Sequence, residues 1–115
     1  MSVTIYHNPR CSKSRQTLAL LQEKGIEPTV IEYLKTPPSA ADLADILSKL
    51  GKTPRDLMRK KEAPYADNNL GDGSLSNNAL IAAMVENPVL IERPIVLSGG
   101  KAAIGRPPES VLEIL

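Results

Sequence analysis

Residues 1–33 constrain the fold more than any other stretch, because they set two β-branched runs on either side of one helix-length segment. Val3 to Tyr6 and Thr29 to Tyr33 read as strands, rich in Val, Ile, Thr and Tyr. Between them a helix starts near Cys11 or Ser12, carries Leu18 and Leu21 on one face, and stops at Gly25, a residue suited to a left-handed cap. Strand, helix and strand within about 30 residues pair in parallel through a right-handed crossover.

The rest of the chain adds helices and then a hairpin. After Pro37-Pro38, Ser39-x-x-Asp42 is a start signal that resembles a capping box, with Asp in place of the usual Glu or Gln, and Leu43, Ile46, Leu47 and Leu50 follow at helical spacing up to Gly51. Thr53-Pro54 begins a shorter helix that runs through Leu57, Met58 and Arg59. The polar stretch Asp67 to Ser74 reads as a loop, and Ser76 caps a helix bearing Leu80, Ile81, Met84 and Val85 that ends at Asn87-Pro88. Ile95 to Ser98, the turn Gly99-Gly100 and Lys101 to Ile104 form a hairpin. Pro107-Pro108 open a last helix with Val111, Leu112 and Leu115. The order βαβ, helices, ββα is α/β, a thioredoxin-like plan with a mixed central sheet. It predicts a single domain over 1–115, with the core in 1–36 and 88–115 and a helical insertion over 37–87.

Composition removes several function classes. Lys and Arg total 14 against 13 acids, so the chain lacks the basic excess that nucleic-acid or membrane-surface binding draws on. With no Trp or Phe and three Tyr, stacking platforms for bases are not expected and the core is aliphatic. No apolar run reaches the roughly 18 residues of a membrane span. The start MSVTIYHNPR lacks the basic-then-apolar order of a signal peptide. One Cys and one His make neither an internal disulfide nor a four-ligand zinc site, so no metal is expected. A soluble, reducing, cytoplasmic setting fits these features.

The chemistry concentrates in YHNPRCSKSR, where His7 and Cys11 stand beside Arg10, Lys13 and Arg15. A lone cysteine is by default a buried, inert thiol. This one has polar, cationic neighbours and stands at a helix start, where exposed N–H groups and the helix dipole favour the thiolate. His7 is a charged neighbour or a relay. The Cys-x5-Arg spacing of tyrosine phosphatases is absent, since position 17 is Thr. Ser14 occupies the place where a dithiol oxidoreductase has its resolving Cys, so an oxidised Cys11 needs an external thiol.

The segments YHNPRCSKSRQTL, EYLKTPPS, LMRKKE with PY following, NPVLIERPIVL and GRPPESVLEIL resemble, in that order, the glutaredoxin-coupled arsenate reductase (ArsC-like) family of the thioredoxin-like superfamily. The resemblance implies that Cys11 is the nucleophile and that His7 tunes it. It implies that Arg59, Arg93 and Arg106 hold the oxygens of arsenate or a similar oxyanion in one site. Three guanidinium forks suit a tetrahedral oxyanion through charge-assisted hydrogen bonds. Pro94 takes the place of the cis-proline that faces the cysteine. No bound cofactor is implied; glutathione is the cosubstrate and glutaredoxin the partner. The serine after Cys11 departs from the small residue, such as Gly, that these enzymes tend to carry there. Two alternatives share the fold: a monothiol oxidoreductase acting on another oxidised or glutathionylated substrate, and a transcriptional regulator resembling the Spx proteins. The latter commonly carry Cys-x-x-Cys, which Ser14 interrupts.

Overall fold

Strand β1 (Val3–His7) pairs in parallel with β2 (Thr29–Glu32), and α1 (Ser12–Glu23) joins them. The computed structural model describes residues 2–115. Helix α1 ends as Gly25, at φ 76°, turns the chain left-handed and the Ile26 N–H bonds the Leu21 carbonyl. Strands β3 (Ile95–Ser98) and β4 (Lys101–Ile104) complete an antiparallel extension, giving a four-stranded mixed sheet in the order β2-β1-β3-β4. Val3, Ile5, Leu21, Val96 and Val111 form its buried core, with Leu18, Leu20 and Ile26 packed against them.

The described chain falls into two units. The first holds the residues up to Thr36 together with Arg93–Leu115, and the second is Pro37–Glu92. In the second unit, α2 (Ala40–Leu50) starts on a complete capping box, Ser39 with Asp42, and ends at left-handed Gly51. Helix α3 (Pro54–Leu57) repeats the device with Thr53 and Asp56. Both pack on α5 (Asn77–Glu86), which Ser76 caps. No helix among the described residues is long and apolar enough to cross a membrane.

Two local expectations are corrected, for the short helix and for β2, and the structure adds two details. Helix α3 stops at Leu57 instead of running through Met58 and Arg59, because Met58 is extended and bridges Ile91. The Arg59 N–H then bonds the Leu90 carbonyl and the Glu92 N–H the Leu57 carbonyl, so strand-like pairing replaces further helical turns. A short helix α4 (Ala63–Asp67) precedes the polar stretch. Strand β2 ends at Glu32, one residue before Tyr33. The last helix, Pro108–Ile114, is of the 3₁₀ type.

Sheet register explains what meets at one edge. Tyr6 lies opposite Ile95 and Ile95 opposite Ile104, so the end of β1, the start of β3 and the end of β4 coincide. The loop carrying Cys11, the Arg93-Pro94 pair and the Gly105-Arg106 pair leave the sheet from that edge.

Candidate active site

Cys11 is the N-cap of α1, with φ −92° and ψ 123°. The preceding loop is held on both sides. The Asn8 carbonyl accepts from the Cys11 N–H at 3.0 Å, Asn8 Oδ1 from the Arg10 N–H at 3.0 Å, and the Pro9 carbonyl from Arg15 Nη1 at 2.9 Å. The charge of Arg15 is thus committed to loop geometry.

Ser14 joins the loop to the strand. Its buried hydroxyl lies 2.6 Å from His7 Nδ1 and accepts from the Asn8 N–H at 2.9 Å. His7, opposite Glu32 in the sheet, is itself buried. Burial lowers the pKa of His7 from its usual value; Glu32 works against this and Arg15 adds to it, so the ring is neutral at pH 7. The contact of His7 within the loop is thus its hydrogen bond with Ser14.

The sulfur is tuned by amides and arginines. Burial alone would push the Cys11 thiol up, but the Ser14 amide, the Arg93 guanidinium by hydrogen bond and by charge, and the Lys13 amide outweigh it and bring its pKa below the ordinary value. The thiol closes no ordinary cap hydrogen bond; the amides act on it as the positive end of the helix. Arg106 Nη2 lies 3.5 Å from Sγ, while its Nε donates to the Arg93 carbonyl at 2.8 Å. The cations expected from the loop thus have other work: Lys13 contributes its backbone and Arg15 its bond to Pro9. Arg93 is desolvated, yet the sulfur and Tyr33 keep its charge favoured, raising its pKa.

Close packing fixes the two arginines. Both Arg93–Pro94 and Arg106–Pro107 are cis. The Gly105 N–H donates to the Pro94 carbonyl at 2.9 Å. A methyl group on Gly105 would lie 2.5 Å from Thr17 Oγ1 and 2.8 Å from Pro94 Cγ, so only glycine lets this segment lie against α1. Thr17, fully buried, donates through Oγ1 to the Lys13 carbonyl at 2.8 Å.

One unit therefore assembles Cys11, His7, Arg93, Pro94 and Arg106. Arg59 belongs to the other unit, where Nη1 lies 3.3 Å from Glu92 and Nε 3.7 Å from Glu62. Sequence reasoning missed the contributions of Ser14, Tyr33, Gly105 and Thr17. Ser14 had a signal, since it is the third residue after a cap at Cys11, the place whose N–H faces a capping group. Tyr33, buried against Arg93, and Gly105 with Thr17 had none, because their partners are remote in sequence. A depressed thiol beside two guanidinium groups can bind an anion next to a nucleophile.

The sequence profile of the ArsC family matches residues 6–114. The chain belongs to the ArsC family. This family member is 63% identical over 114 residues to the uncharacterized protein YfgD of Escherichia coli K12, covering 98% of this chain and 96% of that one. It is 54% identical over 116 residues to an arsenate reductase of Haemophilus influenzae, with 100% of each chain covered. A solved arsenate reductase from Vibrio cholerae matches with a TM-score of 0.97 at 59% identity, covering 100% of this chain and 98% of that one. The mixed sheet and this likeness give the ArsC form of the thioredoxin-like fold.

Proposed function

We propose that this ArsC-family protein is an arsenate reductase that uses Cys11 as nucleophile and glutathione with glutaredoxin as external reductants. The observation that carries the reading is the sulfur itself, 3.5 Å from Arg106 Nη2 and lowered in pKa with help from Arg93. Such a thiol suits attack on an oxyanion whose charge the same guanidinium groups bind. Similarity to arsenate reductases supports arsenate as that oxyanion.

In the first step the Cys11 thiolate forms a sulfur–arsenic bond and one arsenate oxygen leaves as water. The glutathione thiolate then attacks the Cys11 sulfur; the S–S bond forms as the S–As bond breaks, and the electron pair of that bond stays on arsenic, which leaves as trivalent arsenite. Glutaredoxin clears the resulting mixed disulfide. Overall, two thiols lose their protons and join as a disulfide, arsenate becomes arsenite, and one water forms. Arg93 and Arg106 hold the oxyanion. His7 acts through Ser14, whose amide favours the thiolate.

The test is arsenite production by the purified chain with glutathione and glutaredoxin. Turnover is expected for wild type and none for Cys11→Ser. If no arsenite forms while Cys11 still alkylates well below pH 8, the arsenate reading falls. A monothiol oxidoreductase acting on another oxidised or glutathionylated substrate then takes its place.

A further inference from the structure

Cys11 is the one cysteine of the chain, so turnover through it draws a second thiol from solution. A cavity of about 260 Å³ opens beside the loop that precedes it, with His7 to Arg10 on one wall and Glu32, Leu34 and Lys35 on the other. Its chemistry differs from that of the sulfur's own surroundings. Arg10 and Lys35 supply two cations, Glu32 one anion, and half-exposed Leu34 an apolar surface. Lys35 Nζ lies 3.7 Å from Glu32 Oε1, so cation and anion stand side by side. A plain inorganic oxyanion gains little from a site that includes a carboxylate. An organic zwitterion, with carboxylates for the cations and an ammonium for Glu32, matches all three charges.

We infer that this cavity seats the charged ends of the external thiol, a γ-glutamyl tripeptide, with Arg10 and Lys35 on its carboxylates and Glu32 on its ammonium. The inference rests on the reading that an external thiol completes turnover. Reach supports it: Arg10 precedes Cys11, and consecutive Cα atoms are about 3.8 Å apart. A three-residue peptide extends at most about 10 Å, so its central thiol lies about 5 Å from an anchored end. Anchoring an end against Arg10 thus brings the thiol into the neighbourhood of Cys11. Seating makes and breaks no bond; the bonds exchanged are those of arsenate reduction given above.

The probe is S-methylglutathione, which carries the charges and cannot react, titrated into the full chain by calorimetry or NMR. Wild type is expected to bind at millimolar concentration, more weakly as salt rises. Arg10→Ala, Lys35→Ala and Glu32→Gln should each weaken binding roughly two- to fivefold, the range of partly exposed ion pairs. Lys35→Ala should also raise KM for glutathione while leaving turnover with 2-mercaptoethanol, which has no charged ends, as in wild type. The inference is overturned if S-methylglutathione does not bind, or binds wild type and all three variants alike. Because this binding needs no arsenate, it survives if arsenate proves not to be the substrate. Conversely, arsenate reduction with an unchanged KM for glutathione in Lys35→Ala leaves the arsenate reading standing and removes the cavity from it.

Discussion

Gly105→Ala tests how the two arginines are held at the sulfur. The added carbon would stand 2.5 Å from Thr17 Oγ1 and 2.8 Å from Pro94 Cγ, against 3.4–4 Å for ordinary contact. Neither neighbour yields freely. Thr17 is fully buried on α1 and bonded to the Lys13 carbonyl, and Pro94 presents a rigid ring. The Gly105-Arg106 backbone must move instead. Overpacking of this kind costs about 1–3 kcal/mol. For a domain of this size that corresponds to a melting midpoint lower by roughly 4–12 °C. The same movement carries Arg106 Nη2 away from Sγ, where 3.5 Å already leaves little margin, and strains the 2.8 Å bond from Nε to the Arg93 carbonyl. Thermal melts, read beside iodoacetamide alkylation across pH, should therefore show a less stable protein whose thiol ionises at higher pH. Adding Thr17→Ala, which removes the nearest atom, should restore part of both. A melting midpoint within about 1 °C of wild type, with an unchanged alkylation profile, would refute the close-packing argument.

Arg106→Ala should raise the alkylation midpoint and weaken arsenate or sulfate binding roughly tenfold to a hundredfold, read as loss of anion-induced melting shift. Ser14→Ala leaves the buried Asn8 N–H without its acceptor and His7 without its partner, and should cost about 1–3 kcal/mol in urea melts. The depressed thiol also links stability to pH. Between the folded and unfolded pKa values of Cys11 the unfolded chain binds more protons, so stability rises with pH up to about 8.5 and the gain is lost as pH falls through the folded value. Cys11→Ser should lack that part of the slope; an identical pH dependence of stability in wild type and variant would count against it.

What the sequence made legible was local. The strand-helix-strand start, both capping boxes' sites at Ser39 and Thr53, and the Gly99-Gly100 hairpin each carry their signal within a few residues. Helix α4 escaped because Glu62 makes no cap bond and none of its five residues is buried. Met58 and Arg59 went astray because the pairing of Leu57–Arg59 with Leu90–Glu92 spans a distance that periodicity does not see. The site divides the same way. Cys11 at a helix start was readable, whereas the partners of its sulfur were not: Arg93 and Arg106 came only from family resemblance. Their arrival depends on sheet register, through Tyr6 with Ile95 and Ile95 with Ile104.

That register has a consequence during synthesis. Strand β3, which pairs along β1 on the side opposite β2, is encoded after the whole Pro37–Glu92 unit. A nascent chain therefore leaves the outer edge of β1 unpaired until Ile95–Ser98 is made. At about 5–20 residues per second the ribosome needs about 4–16 s to travel from Cys11 to Arg93. Throughout that interval the thiol lacks both guanidinium partners and keeps a more ordinary ionisation. The tuning of the thiol is thus completed late, by the same few residues that extend the sheet, and a ribosome stalled before Arg93 displays a cysteine tuned only by the amides of its own helix start.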